Sequence, residues 1–208
     1  MRAITFLTSI FLTGCTIVGI RSSQEAPYTV VSNFDDIEIR LYPPLVVAET
    51  EVEADYSTSG GIGFNRLAGY IFGNNIQKEK MAMTTPVYRE KVSQDSGEKI
   101  AMTAPVLQEQ VADKWIMTFV MPSGYNLSNL PPPVDDKVIL KEIPAKKVAV
   151  LRYSGSLTIE RIAEKSQALS DWLTQHQYKP LSKARSAAYD PPWTLPPLRR
   201  NEVHIEIE

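Results

Sequence analysis

Two thioethers, Met81 and Met83, sit two residues apart inside the segment Glu79–Val87, and that segment recurs as Glu98–Val106 with seven of nine positions identical. Spacing of two puts Met81 and Met83 on one face of an extended chain, and Ile100 and Met102 repeat the arrangement. Such side chains pack adaptably and can also serve as axial ligands to iron, so the stretch reads either as core or as the wall of a site. If the copies are hairpin partners across Ser93–Gly97, Met83 and Met102 face the same apolar space. Glu79 and Glu98 are paired by the same repeat, as an acid/base couple or as solvated strand ends, and each precedes a lysine. The two histidines stand apart from this stretch. His176 falls at the end of a long helical pattern, and His204 lies among Glu202, Glu206 and Glu208 on the polar face of the last strand. Neither is expected to ligate a metal. Arg199-Arg200 can anchor carboxylates, or Arg200 can pair with Glu202. No Gly-x-Ser-x-Gly, His-Glu-x-x-His or phosphate loop occurs, and the chain is read as a binder rather than an enzyme.

The elements that must position these residues follow from periodicity. Ile37, Ile39 and Leu41 alternate with Asp36, Glu38 and Arg40 as a half-buried strand, and Leu45–Val52 reads as a second one after Pro43-Pro44. Residues 57–63 are expected to form a loop into a helix carrying Phe64, Leu67, Ala68 and Ile71 on one stripe, stopped at Gly73. Phe64, Leu67 and Ile71 either face a flat apolar slot or close the core, and Arg66 beside them either meets an anionic group or lies in solvent. Trp115–Met121, Val138–Glu142 and Val148–Tyr153 read as strands. Ser156 or Thr158 caps a long helix whose apolar face is Ile159, Ile162, Ser166, Leu169, Trp172 and Leu173. Val203, Ile205 and Ile207 give the last strand the cleanest alternation. Tyr42-Pro43…Val47-Ala48 matches Ile143-Pro144…Val148-Ala149 at an offset of 101, so two halves of strand–strand–helix–strand build are expected. Mixed strands and two helices without strict βαβ alternation argue for an α+β fold.

Length and composition bound the rest. The chain has 208 residues, 22 Lys+Arg against 24 Asp+Glu, and 43% hydrophobic residues, which fits a folded domain and gives no electrostatic case for nucleic-acid binding. Residues 1–14 combine Arg2, an apolar run from Ala3 to Leu12 and small residues before the only cysteine, Cys15. That is the pattern of a secretory signal, too short for comfortable spanning of a membrane. Leu12-Thr13-Gly14-Cys15 resembles the bacterial lipobox, which implies a signal peptide at 1–14, a lipidated Cys15, a tether over 15–27 and a domain over 28–208. Thr16 after the cysteine implies sorting to an outer membrane, facing the periplasm. Several acyl chains anchor stably without a spanning helix.

Asn74-Asn75 followed by Glu79–Val87, together with Tyr189-Asp190-Pro191-Pro192-Trp193-Thr194-Leu195-Pro196-Pro197-Leu198-Arg199-Arg200-Asn201-Glu202-Val203, resembles the signature of the SOUL/heme-binding protein family. The resemblance implies a distorted β-barrel of two pseudo-symmetric halves with two flanking helices. It also implies a tetrapyrrole ligand, heme above all, in an apolar groove beside the first helix. On these residues the expected binding site is Phe64, Arg66, Leu67, Ile71, Met83 and Met102, with weak, propionate-steered binding and no histidine on the iron. The resemblance reaches effector-binding domains as well, so a small-molecule sensor or protein-docking module is the alternative reading, and a porphyrin- or ester-modifying enzyme the second.

Overall fold

The computed structural model describes residues 24–77, 80–81, 83–91 and 114–208. Cys15, Glu79, Glu98, Met102 and the expected hairpin turn at 93–97 lie outside them. In chain order the elements are β1 (Gln24–Glu25), β2 (Thr29–Phe34), β3 (Ile37–Tyr42), β4 (Leu45–Glu53), α1 (Tyr56–Ile71), β5 (Thr84–Thr85), β6 (Val87–Lys91), β7 (Lys114–Val120), β8 (Ile139–Ile143), β9 (Lys146–Tyr153), α2 (Ile159–Gln175), β10 (Arg185–Ala188) and β11 (Asn201–Ile207), with a 3₁₀ turn at Pro196–Leu198 before the last strand. Nine strands form one curled sheet in the order β2-β3-β9-β11-β10-β6-β7-β4-β8, while β1 and β5 pair in parallel beside it.

The sheet order carries an internal two-fold. Exchanging β3 with β8, β4 with β9, β6 with β10 and β7 with β11 reverses the order of the eight central strands and leaves every neighbour pair intact. The weak sequence offset of 101 is the trace of this, since β4 begins at Leu45 and β9 at Lys146. The halves meet at the β6–β10 pair, where Ser186 lies opposite Arg89.

One face of the sheet takes both helices. Leu67, Ala68, Tyr70 and Ile71 of α1 pack with Ala48, Met117, Phe119 and Met121, and Leu169 and Leu173 of α2 pack with Ile39, Ala149, Val203 and Ile205. Burying each such side chain contributes roughly 1.5–3 kcal/mol. The opposite face carries a separate cluster around Tyr42, Val47, Tyr88, Val148, Val150 and Tyr189.

Two expectations are corrected here. Residues 57–63 are helical, because Asp55 accepts the Thr58 N–H at 2.9 Å and starts α1 eight residues earlier than the apolar stripe suggests. The supposedly solvated face of β11 is interior. β9 and β10 flank that strand on both edges, and Glu202 and His204 are 0% and 1% exposed. Thr158 rather than Ser156 caps α2, accepting from the Arg161 N–H. Both edges of Val87–Lys91 are taken, by β7 and β10, and Met81 and Met83 lie outside the strands.

Candidate functional site

The residues expected to hold a ligand converge on α1, though in different roles. Leu67 and Ile71 are fully buried against the sheet, at 0% and 1% exposure. Phe64, one turn earlier, stays 38% exposed, with its ring edge-on to Phe119 at 5.6 Å. Met81 is buried and Met83 half-buried, and both join the α1 cluster although neither lies in a strand. The Met81 N–H donates to the Ile71 carbonyl at 2.7 Å, which ties the methionines to the C-terminal end of α1. Phe72, Ile76 and Val134 are largely exposed at that end, where the Ile76 N–H donates to the Pro132 carbonyl and Asn75 bridges Pro133. Arg66 is held: its guanidinium meets Asp135 at 3.2 Å and donates to Thr50 Oγ1 at 2.7 Å and to the Glu51 carbonyl at 3.1 Å. Phe64 and Met83 thus form an apolar rim over a closed floor that includes Leu67 and Ile71, with Arg66 pinned at its side.

The opposite face of the sheet holds a buried polar network that alternation in β11 did not reveal. Glu202 Oε2 accepts from Arg40 at 2.9 Å, from the Tyr189 hydroxyl at 2.5 Å and from His204 Nε2–H at 2.8 Å. Oε1 accepts from Arg40 at 3.0 Å and from Arg200 Nε at 2.9 Å. Two oxygens offer about four lone-pair sites, so this carboxylate is saturated. Burial alone would raise its pKa. Hydrogen bonds from His204 and Arg40, with the Arg40 charge, outweigh that and hold Glu202 ionised well below the usual carboxylate range. Burial lowers the pKa of His204 despite Glu202, leaving the imidazole neutral with Nε2–H donating. Arg40 also bonds Glu38 at 2.7 Å and lies 4.3 Å from the Tyr28 ring centre, and Arg200 reaches Glu25 at 2.8 Å. Beside this network, Glu206 accepts from Arg185 at 2.8 Å and from Lys146. The signal that could have found it is the pair of polar series Glu38-x-Arg40-x-Tyr42 and Arg200-x-Glu202-x-His204 on strands that topology makes central.

His176 caps α2 and lies in the other half of the molecule from α1. Its Nδ1 is 2.9 Å from the Trp172 carbonyl, and its ring stacks on Trp172 at 4.0 Å. Arg199 is tied locally, donating to the Thr194 and Pro192 carbonyls. Among the described residues there is no cluster of His, Cys, Asp or Glu arranged to hold a metal ion, and no helix long and apolar enough to cross a membrane.

Comparison with known proteins places this geometry. No curated protein sequence matches the chain. Among solved structures, an uncharacterized conserved protein from Listeria innocua superposes with a TM-score of 0.60 at 10% identity, covering 83% of this chain and 92% of its own. The EcmrR C-terminal domain gives 0.56 at 16% identity, over 87% and 98%. A hydrolase from Listeria innocua gives 0.56 at 9%, over 86% and 94%. At such identities these likenesses show a shared fold. The family model described as SOUL heme-binding protein matches twice, over residues 23–96 and 91–206, so that the two matches together take in both pseudo-symmetric halves. With both halves matched and the two-fold sheet in place, the chain belongs to the SOUL heme-binding protein family.

Proposed function

We propose that this protein is a lipid-anchored, non-catalytic tetrapyrrole binder or carrier of the bacterial cell envelope, holding its ligand on the apolar rim of α1 without a histidine–iron bond. The observation that carries the reading is that rim, in a member of a heme-binding family: Phe64 stays exposed and Met83 half-buried over a rigid apolar floor. A flat macrocycle gains by covering such surface, at about 25 cal/mol per Å² of apolar area removed from water. A propionate that reaches Arg66 exchanges with Asp135 there. Ligation by His204 is disfavoured because the ring is buried and its Nε2–H is engaged by Glu202. The non-catalytic reading draws on Glu202 too, since a carboxylate already accepting five hydrogen bonds has no lone pair left for a substrate proton. The anchor reading rests on Arg2, the apolar run Ala3–Leu12 and Cys15.

The test is parallel titration of the protein with hemin and with iron-free protoporphyrin IX. Apolar, propionate-steered binding predicts affinities within about threefold of each other, and no turnover of aryl esters. Hemin binding at least tenfold tighter than protoporphyrin would mean that an iron–protein bond matters and would overturn the ligand-free coordination. The lipid anchor is checked separately by intact mass of the wild type and Cys15→Ser made in a Gram-negative host.

A further inference from the structure

The two-fold that relates the halves places a second helix-flanked surface on the sheet, beside α2, and it is shaped differently. A cleft of about 580 Å³ opens between α2, the β2–β3 turn and the end of β9. That volume is within the roughly 300–1,000 Å³ of small-molecule sites. Its apolar side is aromatic: Phe34 is 41% exposed and packs on Trp172 at 5.1 Å, and Trp172 also stacks with His176 at 4.0 Å and with Tyr178 at 5.7 Å. Stacking on both neighbours fixes the indole plane, so the surface is preorganised for another flat ring.

The basic side comes from α2 and from Arg152 at the end of β9. Arg161, Lys165 and Trp172 recur at i, i+4 and i+11 and line the cleft together. The Arg161 guanidinium lies over Gly155, 3.7 Å from where a Cβ would stand, and makes no ion pair among the described residues. A side chain at Gly155 would also be strained by its φ of +112°, so this residue keeps both the turn and the guanidinium's resting place. Lys165 pairs only with its exposed neighbour Glu164, at 2.9 Å. Tyr153 supplies an independent pointer. It lines the cleft and is 9% exposed, and its buried hydroxyl has no hydrogen-bond partner among the described residues. A buried donor left unpaired is unfavourable, and a bound acceptor would relieve it. Asp35 and Asp36 form an acidic rim at the β2–β3 turn. They oppose a second negative group and give the cleft a polarity, anion toward α2 and neutral body toward the turn.

We infer that this cleft is a binding site for a planar aromatic monocarboxylate, the ring lying on Phe34 and Trp172 and the carboxylate meeting Arg161 and Lys165. It is separate from the α1 rim and independent of whether a tetrapyrrole binds there. The test uses naphthalene-2-carboxylate and its uncharged carboxamide as probes, followed by ¹H–¹⁵N spectra of the protein. The carboxylate is expected to shift the Trp172 indole and the backbone amides of Tyr153 and Arg161. It should bind at least tenfold more tightly than the carboxamide, a preference that shrinks with added salt. Arg161→Gln with Lys165→Gln, its fold checked by far-UV circular dichroism, should abolish that preference while the carboxamide binds as before. Equal affinity for the two probes in the wild type, shifts confined to α1 and Met83, or a double variant that keeps the preference would each overturn the assignment.

Discussion

Glu202 lies two residues from Arg200 and from His204, and together with Arg40 on β3 they make the most consequential polar contacts in the molecule. A single buried carboxylate balancing two guanidiniums fixes the register of β11 between β9 and β10. Glu202→Gln leaves Arg40 with Glu38 and Arg200 with Glu25 as their remaining carboxylate partners, both more exposed than Glu202, and chemical denaturation should show a loss of about 3 kcal/mol. The pH dependence has two windows. His204 is neutral in the fold and faces Glu202, Arg40, Arg185 and the rings of Tyr42 and Tyr88. Its lowered pKa means the unfolded chain binds the proton first, so stability is present above about 6.5 and falls below that, by at most about 1.4 kcal/mol per pH unit. The lowered pKa of Glu202 adds stability above about 4.3 that is lost in stronger acid. Unfolding curves at pH 7.5, 5.5 and 3.5 check this, and His204→Gln should flatten the upper window while leaving the lower one. Of this network only the Arg200–Glu202 pair was legible in the sequence. Polar residues alternating on a terminal strand look solvated, and only the sheet order places that strand in the middle.

Helix α1 shows which local rules were readable and which were not. Its apolar stripe from Phe64 to Ile71 was plain from spacing, whereas Ser57–Gly63 read as a loop because glycines are poor helix formers. Those glycines answer to packing instead. A Cβ at Gly63 would stand 3.2 Å from the Met117 Cβ, and one at Gly60 would stand 2.9 Å from the Arg89 guanidinium, which donates to the Tyr56 carbonyl and to Ser59. Gly61 faces open space. Gly61→Ala should therefore stabilise the protein by about 0.5–1 kcal/mol, while Gly63→Leu should destabilise it; thermal unfolding of both variants decides. Strands β2 and β10 escaped notice for other reasons. β2 is a largely exposed edge strand, and the four residues Arg-Ser-Ala-Ala of β10 have no alternation to read.

At the scale of the whole molecule, the duplication was visible in the sequence as the offset of 101, while the repeated Glu-Lys-x-Ala-Met-Thr segment is a second, separate repeat. The first offset maps onto the two-fold of the sheet. Of the second, only the first copy is among the described residues, where it lays Met81 and Met83 against α1. The expected site residues Leu67 and Ile71 prove to be floor, and Phe64 the accessible group, a distinction that spacing on a helix stripe cannot draw because all share one face. The central claim is that a tetrapyrrole lies on this rim without histidine ligation. It is tested most directly by hemin titration, followed at the Soret band, of the wild type, Phe64→Asp and His176→Ala, with far-UV circular dichroism confirming the fold of each. The account predicts that Phe64→Asp weakens binding at least tenfold, because a desolvated carboxylate replaces apolar contact, and that His176→Ala changes neither affinity nor band position. Unaltered binding by Phe64→Asp, with loss of binding or a moved Soret band in His176→Ala, would contradict it.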